Sequence, residues 1–126
     1  MEQVTFLATS ETVRLDQDQL NGLYQQLGDV AAEDVVCRAI EELAVRLAYS
    51  ERMYRENDGA NMRKSVRSMV AIADQIGMHS LSRVAHDVTQ CIDDNDQIAL
   101  AATLARLLRI GERSLTAVWD LQDLSI

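Results

Sequence analysis

Residues 57–92 read NDGANMRKSVRSMVAIADQIGMHSLSRVAHDVTQCI, and this stretch decides the fold class. Its apolar residues recur every three or four positions on both sides of Gly77, a spacing that gives one buried face to each of two helices. The two faces consist of Met62, Val66, Met69, Ala73 and Ile76 before the glycine, and of Leu81, Val84, Ala85, Val88 and Ile92 after it. Asn57, Asp58 and Gly59 are typical of a turn. The stretch therefore predicts helices over residues 60–77 and 79–93.

Helical periodicity continues upstream of this pair. Residues 30–56 predict the longest helix, because the apolar spacing persists there without a glycine or a proline. A short first helix is predicted before it, capped by Asp16 or Asp18 and ended by Gly28. The apolar faces of these two helices consist of Leu20, Leu23, Tyr24, Leu27, Val36, Ile40, Leu43, Leu47 and Tyr54. Residues 1–13 predict an N-terminal arm that is extended or disordered.

Downstream, residues 93–96 read DDND, which is typical of a turn, and Asp96 is suited to cap a last helix from 97 to about 120. The apolar face of that helix consists of Leu100, Leu104, Leu107, Leu108, Leu115, Val118 and Trp119. Short turns make successive helices antiparallel. Residues 14–126 therefore predict one all-α domain, an antiparallel up-down-up-down four-helix bundle with an additional short N-terminal helix. Trp119 and the apolar tail of Leu121, Leu124 and Ile126 are expected to cover the end of the bundle or another subunit.

Composition restricts the partners of the protein. The net charge of −8 argues against nucleic acid and against an anionic membrane surface as ligands. No apolar run reaches the length of about 18 residues that spans a membrane, and the first residues do not form a secretion signal, so we expect a cytoplasmic protein. Cys37 and Cys91 lie inside apolar patterns and are expected to be small core residues of a reducing compartment, not a disulfide or a metal site.

The stretch 57–92 resembles the centre of a histidine phosphotransfer (HPt) domain. That family has an acidic-glycine turn, a helix with an H-x-L-K-G segment that ends in a pair such as I-G, and a following helix with an L-x-x-x-A-x-x-L pattern. The matching residues are Asp58, Gly59, Met69, Ile76, Gly77, Leu81, Ala85 and Val88. The resemblance extends more weakly from about residue 14 to 120. It implies a binding partner from bacterial-type two-component signalling, either a response-regulator receiver domain or a histidine kinase.

The sequence departs from the family at its three chemically specific positions. Arg67 stands at the position of the phospho-accepting histidine, Val70 at that of the lysine and Ala71 at that of the glycine. An arginine stays protonated and has no lone pair to offer, so it cannot accept a phosphoryl group as histidine does. It can still bind a carboxylate or a phosphate. We therefore expect a partner-binding surface of Arg63, Arg67, Val70, Ala71 and Asp74. Alternatively, Arg67 is solvated, or paired with Asp74 or another nearby acid, and Val70 packs on the first helix.

The two histidines, His79 and His86, are seven residues apart and can share one face of a helix. A separation of roughly 10 Å along the axis is too large for one metal ion. Neither is followed by the lysine and glycine of the HPt motif, so surface or cap positions are the expected roles. An active phosphocarrier that uses His79 or His86 stays open as an alternative.

Motifs of enzymes are absent from the sequence, which contains no G-x-S-x-G, P-loop or H-E-x-x-H pattern. We expect no enzymatic activity, no metal and no cofactor. The favoured hypothesis is an HPt-like domain that lacks the phospho-histidine and modulates a phosphorelay by binding alone. A helical adaptor or homodimer without a link to phosphorelays is the remaining alternative.

Overall fold

The computed structural model describes the backbone of residues 15–124 and the side chains of residues 15–117. Its helices are α1 (Gln17–Leu27), α2 (Asp29–Arg55), α3 (Gly59–Gln75), α4 (His79–Asp93) and α5 (Gln97–Leu124). No strand occurs between residues 15 and 124, so the predicted all-α class is confirmed. The predictions for the arm of residues 1–13, for Ile126 and for the side chains of Val118, Trp119, Leu121 and Leu124 fall outside what is described.

Local capping chemistry sets where three helices begin. The carboxylate of Asp16 accepts a hydrogen bond from the Gln19 N–H at 3.0 Å, which selects Asp16 over Asp18 as the cap of α1. Asp58 accepts from the Asn61 N–H at 3.1 Å at the start of α3. Asp96 accepts from the N–H of Ala99 at 3.0 Å at the start of α5. Each bond satisfies an amide that has no partner inside its helix.

The buried core is built from α2 to α5 and from the α3–α4 turn. Its largest fully buried apolar side chains are Leu43, Met69, Ile76, Met78, Leu81 and Leu107. Burying one such side chain on folding stabilises the folded state by about 1.5–3 kcal/mol. Tyr54, Ile92, Leu108 and Leu115, which were predicted on the apolar faces, pack on the edge of this core and are only partly buried.

The helix α1 lies outside this core. Leu20 and Leu23 are only partly buried, and no residue of α1 is fully buried. The prediction that Leu27 belongs to a packed apolar face is wrong, because this side chain is 43% exposed. Leu27 is the last residue of α1, at the junction with α2.

The four long helices pack in a closed order. Each helix contacts the next one along the chain, and α2 also contacts α5. Gly111 marks the close approach of α2 and α5, since a Cβ at this position would lie 2.5 Å from Leu47 Cδ1. Within residues 15–124, α2 does not approach α4, and α3 does not approach α5. These contacts are those of a helical bundle. None of the described helices is both long enough and apolar enough to cross a membrane.

Candidate functional site

The α3–α4 seam, the line along which α3 and α4 meet at the surface, contains the candidate site. At one end, Asp74 Oδ1 lies 3.2 Å from His79 Nδ1. At the other end, the guanidinium of Arg63 donates to both carboxylate oxygens of Asp93, with distances of 2.6 and 3.0 Å. The end of α3 thus contacts the start of α4, and the early part of α3 contacts the end of α4.

Arg67 lies in the middle of α3 and is exposed. It makes no hydrogen bond or ion pair with a described side chain, and Asp74 is engaged by His79 instead. The predicted alternative in which Arg67 pairs with Asp74 is therefore wrong.

The five residues expected in the partner-binding surface lie on one stripe of α3, at steps of four, three, one and three residues. At its ends, Arg63 forms an ion pair with Asp93 of α4, and Asp74 contacts the His79 ring of α4. Val70 is half-buried and packs against the core, while Ala71 is exposed. The stripe thus has fixed ends and a cation beside a small apolar spot.

The Arg63–Asp93 pair shifts the titration of both groups. The hydrogen bonds from Arg63 lower the pKa of Asp93, and the positive charges of Arg63 and Arg67 lower it further. The same hydrogen bonds raise the pKa of Arg63. Both side chains are exposed to more than a third, so the pair contributes little to stability at physiological salt. Its importance for the site is to fix the direction of two side chains.

His79 lies in a cluster that the sequence did not predict. Its Nδ1 faces Asp74, and its Nε2 lies 2.9 Å from Gln19 Oε1 and 3.3 Å from Asp16 Oδ2. The Gln19 amide donates in turn to the main-chain carbonyls of Asp74 and Gln75. The described atoms within hydrogen-bond distance of the two ring nitrogens are acceptors, namely carboxylate oxygens of Asp74 and Asp16 and the amide oxygen of Gln19.

This cluster connects α1 to the α3–α4 turn. The main-chain N–H of Asp16 donates to the carbonyl of Gly77 at 3.0 Å, beside the side-chain contacts of His79. No local pattern could reveal it, because the partners of His79 on α1 are 60 and 63 positions away in the sequence.

His86 is unlike His79. It is exposed on α4 and makes no hydrogen bond or ion pair with a described residue. Among the described residues, no three histidine, cysteine or acidic side chains are grouped so that they could hold a metal ion. Comparison of the chain with protein-family models, with curated proteins and with solved structures found no match in any of the three.

Proposed function

We propose that this protein is an HPt-like signalling domain that binds a receiver domain or a histidine kinase and modulates a two-component phosphorelay without carrying phosphate. The observation that carries the proposal is the placement of Arg67. It lies exposed in the middle of α3, at the position that the resemblance assigns to the phospho-accepting histidine. We place this activity in the cytoplasm, where such partners signal.

The proposal includes a finer fold, in which α2 to α5 form an antiparallel up-down-up-down four-helix bundle. Two observations support it. Contacts run between successive helices and close from α5 back to α2. The side-chain contacts of the α3–α4 seam, Arg63 with Asp93 and Asp74 with His79, join opposite ends of their two helices. The connections between the long helices have about three residues, so each helix is followed by a neighbour that runs in the opposite direction.

The chemistry of Arg67 favours binding over transfer. The receiver domains that bind HPt domains present an acidic pocket. A guanidinium such as that of Arg67 can bind the carboxylate oxygens of this pocket through two parallel N–H groups. Its lack of a lone pair leaves the phosphoryl group on the receiver. A domain of this kind occupies the docking face and competes with active phosphocarriers.

Binding and phosphotransfer are measured separately. Purified protein is incubated with receiver domains and kinases of the same organism, with labelled ATP, and binding is followed by calorimetry. We expect a complex with at least one of them, no acid-labile label on this chain, and affinity reduced about tenfold or more by Arg67→Ala. Arg38→Ala is the matched control, since Arg38 is an exposed arginine of α2 that pairs with Asp34 on the same helix.

Two results contradict the proposal. The first is acid-labile phosphate on the protein, and the second is the absence of a complex with every receiver and kinase tested. An unchanged affinity of Arg67→Ala would remove Arg67 from the binding surface.

An active phosphocarrier is the second candidate, and the exposure of His86 favours this residue as its acceptor over His79. Both ring nitrogens of His79 are engaged by Asp74, Asp16 and Gln19. If label appears on the protein, His86→Ala is expected to abolish it and His79→Ala to leave it in place.

A further inference from the structure

We infer that Arg67 and His86 face each other across the α3–α4 seam and together bind a phosphoryl oxyanion presented by the partner. The inference deepens the proposed function, on which it rests for the identity of the partner but not for the geometry of the pair.

Helix register places the two side chains opposite each other. The contact between Asp74 and His79 fixes the register at the turn. Arg67 precedes Asp74 by seven residues, and His86 follows His79 by seven. Seven residues complete two helical turns to within about 20° and advance about 10 Å. The helices α3 and α4 run side by side from the turn. Arg67 and His86 therefore lie at the same distance from the turn, each on the side of its helix that faces the other helix.

The far end of the seam agrees with this register. The bidentate contact between Arg63 and Asp93 keeps α3 and α4 side by side beyond the level of Arg67 and His86. The charge of Arg67 also contributes to the lowered pKa of Asp93, after the larger effect of Arg63. The guanidinium of Arg67 is therefore on the flank of α3 that faces α4.

The middle of the seam is positive in a protein whose net charge is −8. The acids at both ends of the seam already have partners, the Arg63 guanidinium for Asp93 and the His79 ring for Asp74. Between them, Arg67, Arg83 and His86 are exposed and make no hydrogen bond or ion pair with described residues. Asp87 follows His86 but lies about 100° further round the helix, away from α3. An anion approaching this face thus meets cations without a competing carboxylate at the centre.

The donors of this pair fit a tetrahedral oxyanion. The guanidinium of Arg67 offers two parallel N–H groups, and an imidazole N–H of His86 adds a third donor from the opposite helix. The three terminal oxygens of a phosphoryl group can accept from all three donors, whereas a planar carboxylate has two oxygens. We assign the ligand to an aspartyl phosphate of the partner. The pair holds this group, and no bond forms or breaks.

Inorganic phosphate tests the pair without any partner protein. The chain has two histidines, so proton NMR can follow the ring signals of each one separately. Phosphate is added at fixed pH, and sodium chloride keeps the ionic strength constant. We expect the His86 ring signal to shift and saturate while the His79 signal does not. Arg67→Ala is expected to abolish most of the shift, and the control Arg38→Ala to preserve it. A stationary His86 signal, or the same shift in Arg67→Ala, overturns the inference.

A receiver domain with and without beryllofluoride, a mimic of its aspartyl phosphate, tests the assigned source. We expect about tenfold tighter binding of the beryllofluoride form, and loss of this gain in Arg67→Ala and in His86→Ala. Equal affinity for both forms, weakened by Arg67→Ala, would support the proposed function and refute the inference. A phosphate response without binding of any receiver or kinase would keep the oxyanion pair, but refute both the proposed function and the partner as its source.

Discussion

At the residue scale, Gly77 shows how one position joins two distant parts of the chain. Its φ of +80° lies in the left-handed region that favours glycine. A Cβ at this position would lie 3.0 to 3.2 Å from the Cβ, O and N atoms of Asp16. The close approach allows the Asp16 N–H to donate to the Gly77 carbonyl. Both the backbone conformation and the available space therefore require a glycine.

Replacing Gly77 by alanine is expected to destabilise the fold by about 1–3 kcal/mol, because the new methyl group strains the backbone and pushes against the backbone of Asp16. Urea denaturation followed by circular dichroism measures this loss. Gly22→Ala is the matched control. A Cβ at Gly22 meets no atom within 4 Å, and alanine is preferred inside a helix, so this variant is expected to gain up to about 1 kcal/mol. Equal stability of Gly77→Ala and wild type would contradict the argument.

At the scale of the element, α1 is held differently from the other helices. It contributes no fully buried side chain, and Leu20 and Leu23 reach only the edge of the core. Its first turn is anchored instead by the polar contacts of Asp16 and Gln19 with His79 and the α3–α4 turn. Segments with few buried apolar contacts open at low cost in free energy. We therefore expect α1 to be the first described helix to open.

His79→Ala is expected to raise hydrogen–deuterium exchange in α1 severalfold, because it removes the side chain that Asp16 and Gln19 contact. Exchange in the cores of α2 and α4 should stay close to that of the wild type. Mass spectrometry of proteolytic peptides localises the change. His86→Ala, which replaces the other histidine of the same helix, should leave α1 unchanged. Protection of α1 that survives in His79→Ala would show that its contacts with the main chain of the α3–α4 turn, together with Leu20 and Leu23, suffice to hold it.

The helices could be predicted from the sequence because their signals are local. The caps Asp58 and Asp96 act within three residues, and apolar spacing gives the buried faces directly. The exposure of Leu27 and the cluster around His79 could not be predicted, because they depend on how α1 lies against residues far away in the sequence. For the candidate site, the central and exposed position of Arg67 in α3 could be predicted from the pattern, whereas the inferred pairing with His86 rests on the register of two helices.

At the scale of the whole molecule, aspartates that are hydrogen-bonded or ion-paired in the folded state make stability depend on pH in a definite direction. Among the residues with described side chains, three aspartates have a pKa below the usual 3.8. For Asp16 the main cause is the Gln19 N–H, with a further contribution from His79. For Asp58 it is the main-chain and side-chain N–H groups of Asn61. For Asp93 it is the Arg63 guanidinium.

A lowered pKa in the folded state means that the unfolded chain takes up these protons at higher pH. The stability that the three carboxylates contribute is therefore present above the pKa of the unfolded chain, about pH 4. It is lost as the pH falls through the lower pKa values that these carboxylates have in the folded state. We expect the urea midpoint to decrease between pH 5 and pH 2, and to decrease less in Asp93→Asn, which has no carboxylate to protonate at this position. The matched control is Asp87→Asn, since Asp87 is exposed and makes no hydrogen bond or ion pair with the described residues. A pH dependence that is the same in Asp93→Asn and wild type would contradict the lowered pKa of Asp93 in the folded state.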